Sequence, residues 1–99
     1  MINSMTVAEK IKQRRLQMIV HSAIYYILND NIISDAQWSQ WANELKVLQE
    51  NYPETAAEVE YAEYFKDWDA STGFNLPIND EWALNKARQL LRSRDKHSL

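Results

Sequence analysis

Few side chains in this 99-residue sequence have the identity and spacing for covalent chemistry. There is no Cys, which removes thiol nucleophiles, thiolate metal ligands and disulfides together. His21 and His97 stand far apart and cannot by themselves make a zinc site. Ser-His-Asp catalysis also lacks a candidate. His97 lies at the chain end, and His21 falls inside a helical stretch, where a lone His reads as hydrogen-bonded scaffold. Asp67 and Asp69 are spaced like an acid–base pair or part of a Mg²⁺ site, but such a site needs further oxygen ligands that the spacing does not supply. Asp69 fits better as the side chain closing a Ser71-Thr72-Gly73 turn. Aromatic stacking is what remains. Four Trp, five Tyr and two Phe are a large burial payload for a chain this short, and Trp41, Tyr52, Tyr61, Phe65 and Trp82 are expected in the core.

The elements that position these side chains are helical. One Gly and two Pro are too few for a turn-rich β-sandwich or barrel. Thr6-Val-Ala-Glu9 has capping-box spacing, so a first helix starts at Thr6. Leu16, Val20, Ala23, Ile24, Ile27 and Leu28 then recur at helical intervals until Asn29-Asp30-Asn31, residues that favour turns and left-handed backbone. A second helix opens at Ser34-Asp35 and carries Trp38, Trp41, Leu45, Leu48 and Tyr52 on one face. Pro53-Glu54 suits the first turn of a third helix over 54–68, with Ala57, Tyr61, Tyr64, Phe65 and Trp68 aligned. Residues 69–79 break the period and read as an ordered loop, with Gly73 as a permissive point and Phe74, Leu76 and Ile78 as anchors. Asn79 or Asp80 caps a last helix over 80–94, ahead of a fraying Lys96–Leu99 tail. The expected fold is an all-α, small four-helix domain spanning 1–99, built on an antiparallel helical hairpin over 6–54.

In such a hairpin Tyr25 and Trp38 both fall about 6 Å from the apex, at a rise of about 1.5 Å per residue. Spacing alone reads them as hairpin core.

Charge is distributed in blocks. A basic start (Lys10, Lys12, Arg14, Arg15) precedes nine carboxylates between Glu50 and Glu81, which face Lys66 alone. A basic final helix follows with Lys86, Arg88, Arg92, Arg94 and Lys96. The blocks either neutralise one another within the fold or steer a partner. An isoelectric point near 5.3 disfavours nucleic acid as that partner. No apolar run approaches the ~20 residues of a membrane span and no signal-peptide core opens the chain, so a cytoplasmic protein is expected.

Three motifs follow one another without interruption between Ile11 and Glu54. They are His21-Ser-Ala-Ile-Tyr25-Tyr26, then Ile33-Ser34-Asp35-Ala36-Gln37-Trp38, then Asn43-Glu44-Leu45 running on to Tyr52-Pro53-Glu54. Together they resemble the N-terminal Ia region of NAD-dependent DNA ligases. The remainder, with Phe65-Lys66-Asp67-Trp68-Asp69 and the last helix, is similar to small ligase-related proteins of phages and mobile elements.

The resemblance implies a site for the nicotinamide mononucleotide half of NAD, held by stacking and carboxylate contacts. By motif position Tyr25 matches the stacking Tyr and Tyr26 the neighbouring His or Tyr. Asp35 matches the motif Asp, and Trp38 replaces a second stacking Tyr. Ser39 stands where the motif has another Asp, so the polar half of the site is reduced. The ligase nucleophile motif K-x-D-G has no counterpart, since Lys66-Asp67-Trp68-Asp69-Ala70 departs from it. A non-enzyme is therefore expected.

The leading expectation is a protein-interaction module, phage or mobile-element encoded. It would bind and inhibit a host protein with a basic surface, such as a CRISPR–Cas or other defence component, through Glu54, Glu58, Glu60, Glu63, Asp67 and Asp69. That reading needs no cofactor or metal. The alternatives are binding of NMN or NAD, with possible modulation of a DNA ligase, and weak DNA binding through the last helix. Oligomeric state is not legible.

Overall fold

The computed structural model describes residues 5–97. Its elements are α1 (Val7–Tyr26), α2 (Asp35–Asn51), α3 (Pro53–Glu58), α4 (Ala62–Phe65) and α5 (Glu81–His97). The all-α class expected from the sequence holds among these residues. α1 is the central element, packed against α2 and α3 on one side and α5 on another.

Local signals set the ends of the hairpin. The Thr6 hydroxyl accepts from the Glu9 N–H at 3.1 Å, while the Glu9 carboxylate accepts from the Thr6 N–H at 2.8 Å. Loss of such a box costs about 1 kcal/mol. α1 ends where Asn29 turns left-handed at φ 52° and the Asp30 N–H closes onto the Ile24 carbonyl. Ser34 caps α2 by accepting from the Gln37 N–H. The helices then double back: Arg14 meets Glu44, Arg15 meets Gln49, and His21 faces Trp41. Arg15 lies opposite Gln49 far from the turn and His21 lies opposite Trp41 nearer to it, the arrangement of an antiparallel hairpin.

α1 buries two faces. Leu16 and Val20 look toward Trp82 and Leu90 of α5, across the groove between those helices. Ile11, Arg15, Met18 and Ser22 repeat at helical spacing on a second buried face. The apolar stripe on the sequence marks only the first face, because Arg15 and Ser22 interrupt the second.

The expected third helix over 54–68 is broken in two. Val59 is extended and Tyr61 is left-handed at φ 70°, separating α3 from α4. The cause is Arg15, only 2% exposed. Its guanidinium donates to the carbonyls of Ala56 (2.9 Å), Val59 (2.9 Å) and Glu60 (3.1 Å), and its Nε donates to Gln49 Oε1 (2.9 Å). Carbonyls that would have carried a helix onward are instead gathered around one cation. Among the described residues no carboxylate bonds this guanidinium, and burial pulls the Arg15 pKa down to about 10.

Two further expectations are corrected. Tyr52 is 45% exposed because its backbone has left helical geometry at the end of α2, turning it out of the stripe. Phe74 is exposed, so of the three expected anchors of the 69–79 loop only Leu76 and Ile78 enter the core. Phe65 is buried, while Trp41, Tyr61 and Trp82 pack against the core from partly buried positions. α5 runs on to His97 where an end near residue 94 was expected. The remaining tail residues, Ser98 and Leu99, lie outside the described residues.

Candidate functional site

The turn end of the hairpin holds an open cleft of about 280 Å³. Helix α1 supplies Ser22, Tyr25 and Tyr26, helix α2 supplies Asp35, Trp38 and Ser39, and the 69–79 loop supplies Ser71 and Thr72. All four side chains singled out for nucleotide binding, Tyr25, Tyr26, Asp35 and Trp38, line this one cleft. Tyr25 is 55% exposed, so it is not hairpin core as spacing alone suggested.

The aromatic rings are fixed by one another. Tyr25 and Tyr26 meet edge to face at 4.9 Å, and Trp38 meets Trp68 edge to face at 6.3 Å. Phe65 backs Trp68 at 5.0 Å. Asp35 sits exposed in the first turn of α2. Ser34 does the capping there, which leaves the Asp35 carboxylate available to a ligand.

The loop is tied onto the cleft. The Tyr26 hydroxyl and Thr72 Oγ1 are hydrogen-bonded at 2.8 Å, the Trp68 indole N–H donates to the Thr72 carbonyl at 2.7 Å, and Phe74 packs against Tyr26 at 5.4 Å. Asp69 Oδ1 accepts from both the N–H and the hydroxyl of Ser71, as expected for an Asx turn, and these bonds hold its pKa below the usual carboxylate range. Gly73 is present for close approach: a Cβ there would stand 1.8 Å from Ser22 Oγ and 2.6 Å from Ser22 Cβ. The left-handed residue of this loop is Ala70, at φ 69°.

Among the described residues two buried side-chain atoms lack hydrogen-bond partners, Ser22 Oγ and His21 Nδ1. An unsatisfied buried group of this kind costs about 1–3 kcal/mol. Ser22 lies in the wall of the cleft, beneath Gly73. His21 lines a larger, more apolar groove of about 720 Å³ between α1 and α5, and burial lowers its pKa. The expected hydrogen-bonded scaffold role for His21 is therefore not what the structure contains: its ring rests on Trp41 at 5.7 Å.

The acidic set is exposed but not on one helix. Glu54 and Glu58 belong to α3 and Glu63 to α4, with Glu60 in the break between them, ion-paired to Lys12 at 3.1 Å. Asp67 and Asp69 follow α4. In the basic last helix Arg94 is engaged with both carboxylate oxygens of Asp30, at 3.0 Å each, and with Asp95. Among the described residues no three His, Asp or Glu side chains are grouped to hold a metal ion. No helix among them is long and apolar enough to cross a membrane.

Neither the closure of the cleft by Ser71 and Thr72 nor the orphaned Ser22 is visible in the sequence motifs. The only local hint was the lone Gly73, whose role depends on a residue far away in the chain.

Comparison with known proteins gives a family for the hairpin. The family model described as the DNA ligase-like, N-terminal NAD+-binding domain matches residues 4–59. A DNA ligase of Bacteroides fragilis is 46% identical over 50 residues, which is 50% of this chain and 8% of that ligase. DNA ligases of Syntrophomonas wolfei and Stutzerimonas stutzeri are 42% identical over 50 residues and 35% identical over 54. These matches cover 50% and 54% of this chain, and 8% and 7% of the respective ligases. No solved structure matches the chain.

Proposed function

Since this chain belongs to the family of DNA ligase-like, N-terminal NAD+-binding domains, we propose that it binds the nicotinamide half of NAD-type molecules without catalysing their conversion. The observation that carries the reading is the convergence of Tyr25, Tyr26, Asp35 and Trp38 on one cleft. A pyridinium ring is flat and cationic. It stacks on the Trp38 indole or a Tyr face, where the ring quadrupole attracts positive charge. Asp35 supplies the opposite charge at the rim. Because the matched region is about 8% of a ligase, the ligase reaction itself is not part of the proposal.

Stacking on aromatic side chains contributes about 1–3 kcal/mol per base, so an open cleft of this kind binds in the millimolar range. Nicotinamide riboside and its mononucleotide are the probes. A stacked nicotinamide quenches Trp38, and Trp38→Phe removes that part of the quench. An unchanged emission up to about 5 mM of either compound, alongside unshifted amide resonances at 25 and 38, defeats the reading.

A second reading draws on the exposure of Glu54, Glu58, Glu63 and Asp67, which leaves an acidic surface for a basic host protein, a defence component such as CRISPR–Cas among them. Capture of such a partner that weakens between about 50 and 300 mM salt supports it, and salt-insensitive capture counts against it.

A further inference from the structure

We propose that the groove between α1 and α5, separate from the cleft at the hairpin turn, binds an apolar monocarboxylate such as a medium-chain fatty acid. The hydrocarbon lies on the groove floor and the carboxylate is met by Lys86 and Arg92. The groove, of about 720 Å³, falls within the roughly 300–1,000 Å³ of small-molecule sites. Its floor is hydrocarbon, with Leu16 and Val20 from α1 and Trp82 and Leu90 from α5. Its cationic liners are Lys86 and Arg92, and among the described residues no carboxylate lines it. His21 lines it as well, and burial lowers its pKa, so at neutral pH it adds a ring and no charge. A carboxylate beside Lys or Arg gains a charge-assisted hydrogen bond, while the floor takes the apolar body.

Both cations are exposed, and among the described residues neither is held in an ion pair. Lys86 Nζ donates to the neutral Gln89 amide oxygen at 3.4 Å. Arg94 on the same helix differs, being engaged by two carboxylates. Arg88 and Lys96, about one turn to either side of Arg92, are exposed too and extend the positive potential along α5. Asp80 accepts from the Trp82 indole N–H at 3.3 Å, which puts a carboxylate at the Trp82 end of the groove. Arg92 stands about 15 Å further along α5, at about 1.5 Å per residue. The tail therefore belongs at the Trp82 end and the head towards Arg92.

The shape of the floor selects a small molecule over a macromolecule. Val20 is 4% exposed, Leu16, Trp82 and Leu90 are half-buried, and none of them is among the large hydrophobic side chains that stand exposed. A partner helix, about 10 Å across, needs apolar ridges that project towards it, whereas an extended alkyl chain reaches a recessed floor. A nucleic-acid backbone takes its contacts from polar and cationic groups and gains nothing from the hydrocarbon. α5 lies beyond the family-matched residues 4–59, so one wall of this groove is outside the shared region.

The test is an NMR titration of the full chain with octanoate, 1-octanol and octylammonium, repeated on Lys86→Gln combined with Arg92→Gln, two exposed positions. Octanoate is expected to shift the amide resonances of 16–21 and 82–92. It should bind about fivefold tighter than octanol, the size that two exposed charge contacts supply, with octylammonium weaker still. In the doubly substituted chain octanoate should fall to the affinity of octanol, and octanol should be unchanged. Octanol binding as tightly as octanoate to the unsubstituted chain overturns the assignment to an anion, as does an octanoate advantage that survives both substitutions. Shifts centred elsewhere, or none up to about 5 mM, overturn the site. Movement of the same amides on dilution without ligand gives the groove to a second copy of this chain. A response to an acidic helical peptide but not to octanoate gives it to a protein segment, and either result overturns the proposal.

Discussion

Two polar positions seven residues apart on one face of α1 are treated in opposite ways. Around Arg15 every part of the guanidinium finds a partner: three carbonyls, the Gln49 amide and the face of Phe65 at 5.4 Å. Around Ser22 the hydroxyl finds none, the neighbouring Tyr25 is exposed, and a loop is laid over the top. A buried cation is tolerable only when its hydrogen bonds are satisfied. The first region therefore has a structural job, locking α3 and the 59–61 break onto α1. The second leaves the Ser22 hydroxyl without a partner, which destabilises the protein slightly. The nicotinamide binding proposed for this protein falls at that second, less satisfied end of the hairpin.

Three substitutions test that contrast. Arg15→Met should have the largest effect, because it strands the carbonyls of Ala56, Val59 and Glu60 in a buried site. A loss of about 3–5 kcal/mol is expected in chemical denaturation, a large part of the 5–15 kcal/mol typical of small proteins. A loss below about 1 kcal/mol would mean that the centre is solvated and the contrast false. Gly73→Ala should come next. Its Cβ cannot coexist with Ser22 Oγ at 1.8 Å, so the loop must lift or α1 must shift, at about 1–3 kcal/mol. Altered Trp emission should accompany it, since Trp68 and Trp38 flank the loop. Wild-type stability would show that the loop does not seat on the cleft. Ser22→Ala should have the smallest effect, from neutral to about 1 kcal/mol stabilising, because it removes an unsatisfied hydroxyl. A clear loss of stability there would reveal a partner for Ser22 and erase the difference between the two regions.

The hairpin is legible in the sequence for a local reason. Thr6, Ser34 and Asn29 act on backbone within a few residues of themselves, and the Trp38–Leu48 stripe repeats at the helical period. The third helix was misread for the opposite reason. Ala57, Tyr61, Tyr64 and Phe65 do have helical spacing, but the donor that breaks the helix is Arg15, 44 residues from Val59. Arg15 itself looked like one more surface cation beside Lys12 and Arg14. At the candidate site, Tyr25, Tyr26, Asp35 and Trp38 were found by motif, while Ser22, Ser71 and Thr72 were not, since nothing in their local sequence says that they meet.

By itself, then, the chain's order of residues determined helical periodicity, the caps and the turn at Asn29. These depend on interactions spanning three or four residues, which sequence displays directly. Tertiary structure alone decided that Arg15 would be buried, that α3 would stop at Glu58, and that the loop around Gly73 would close the cleft. Each of those outcomes turns on which distant group satisfies a hydrogen bond or fills a gap beside α1, and only the packed fold brings those groups within reach.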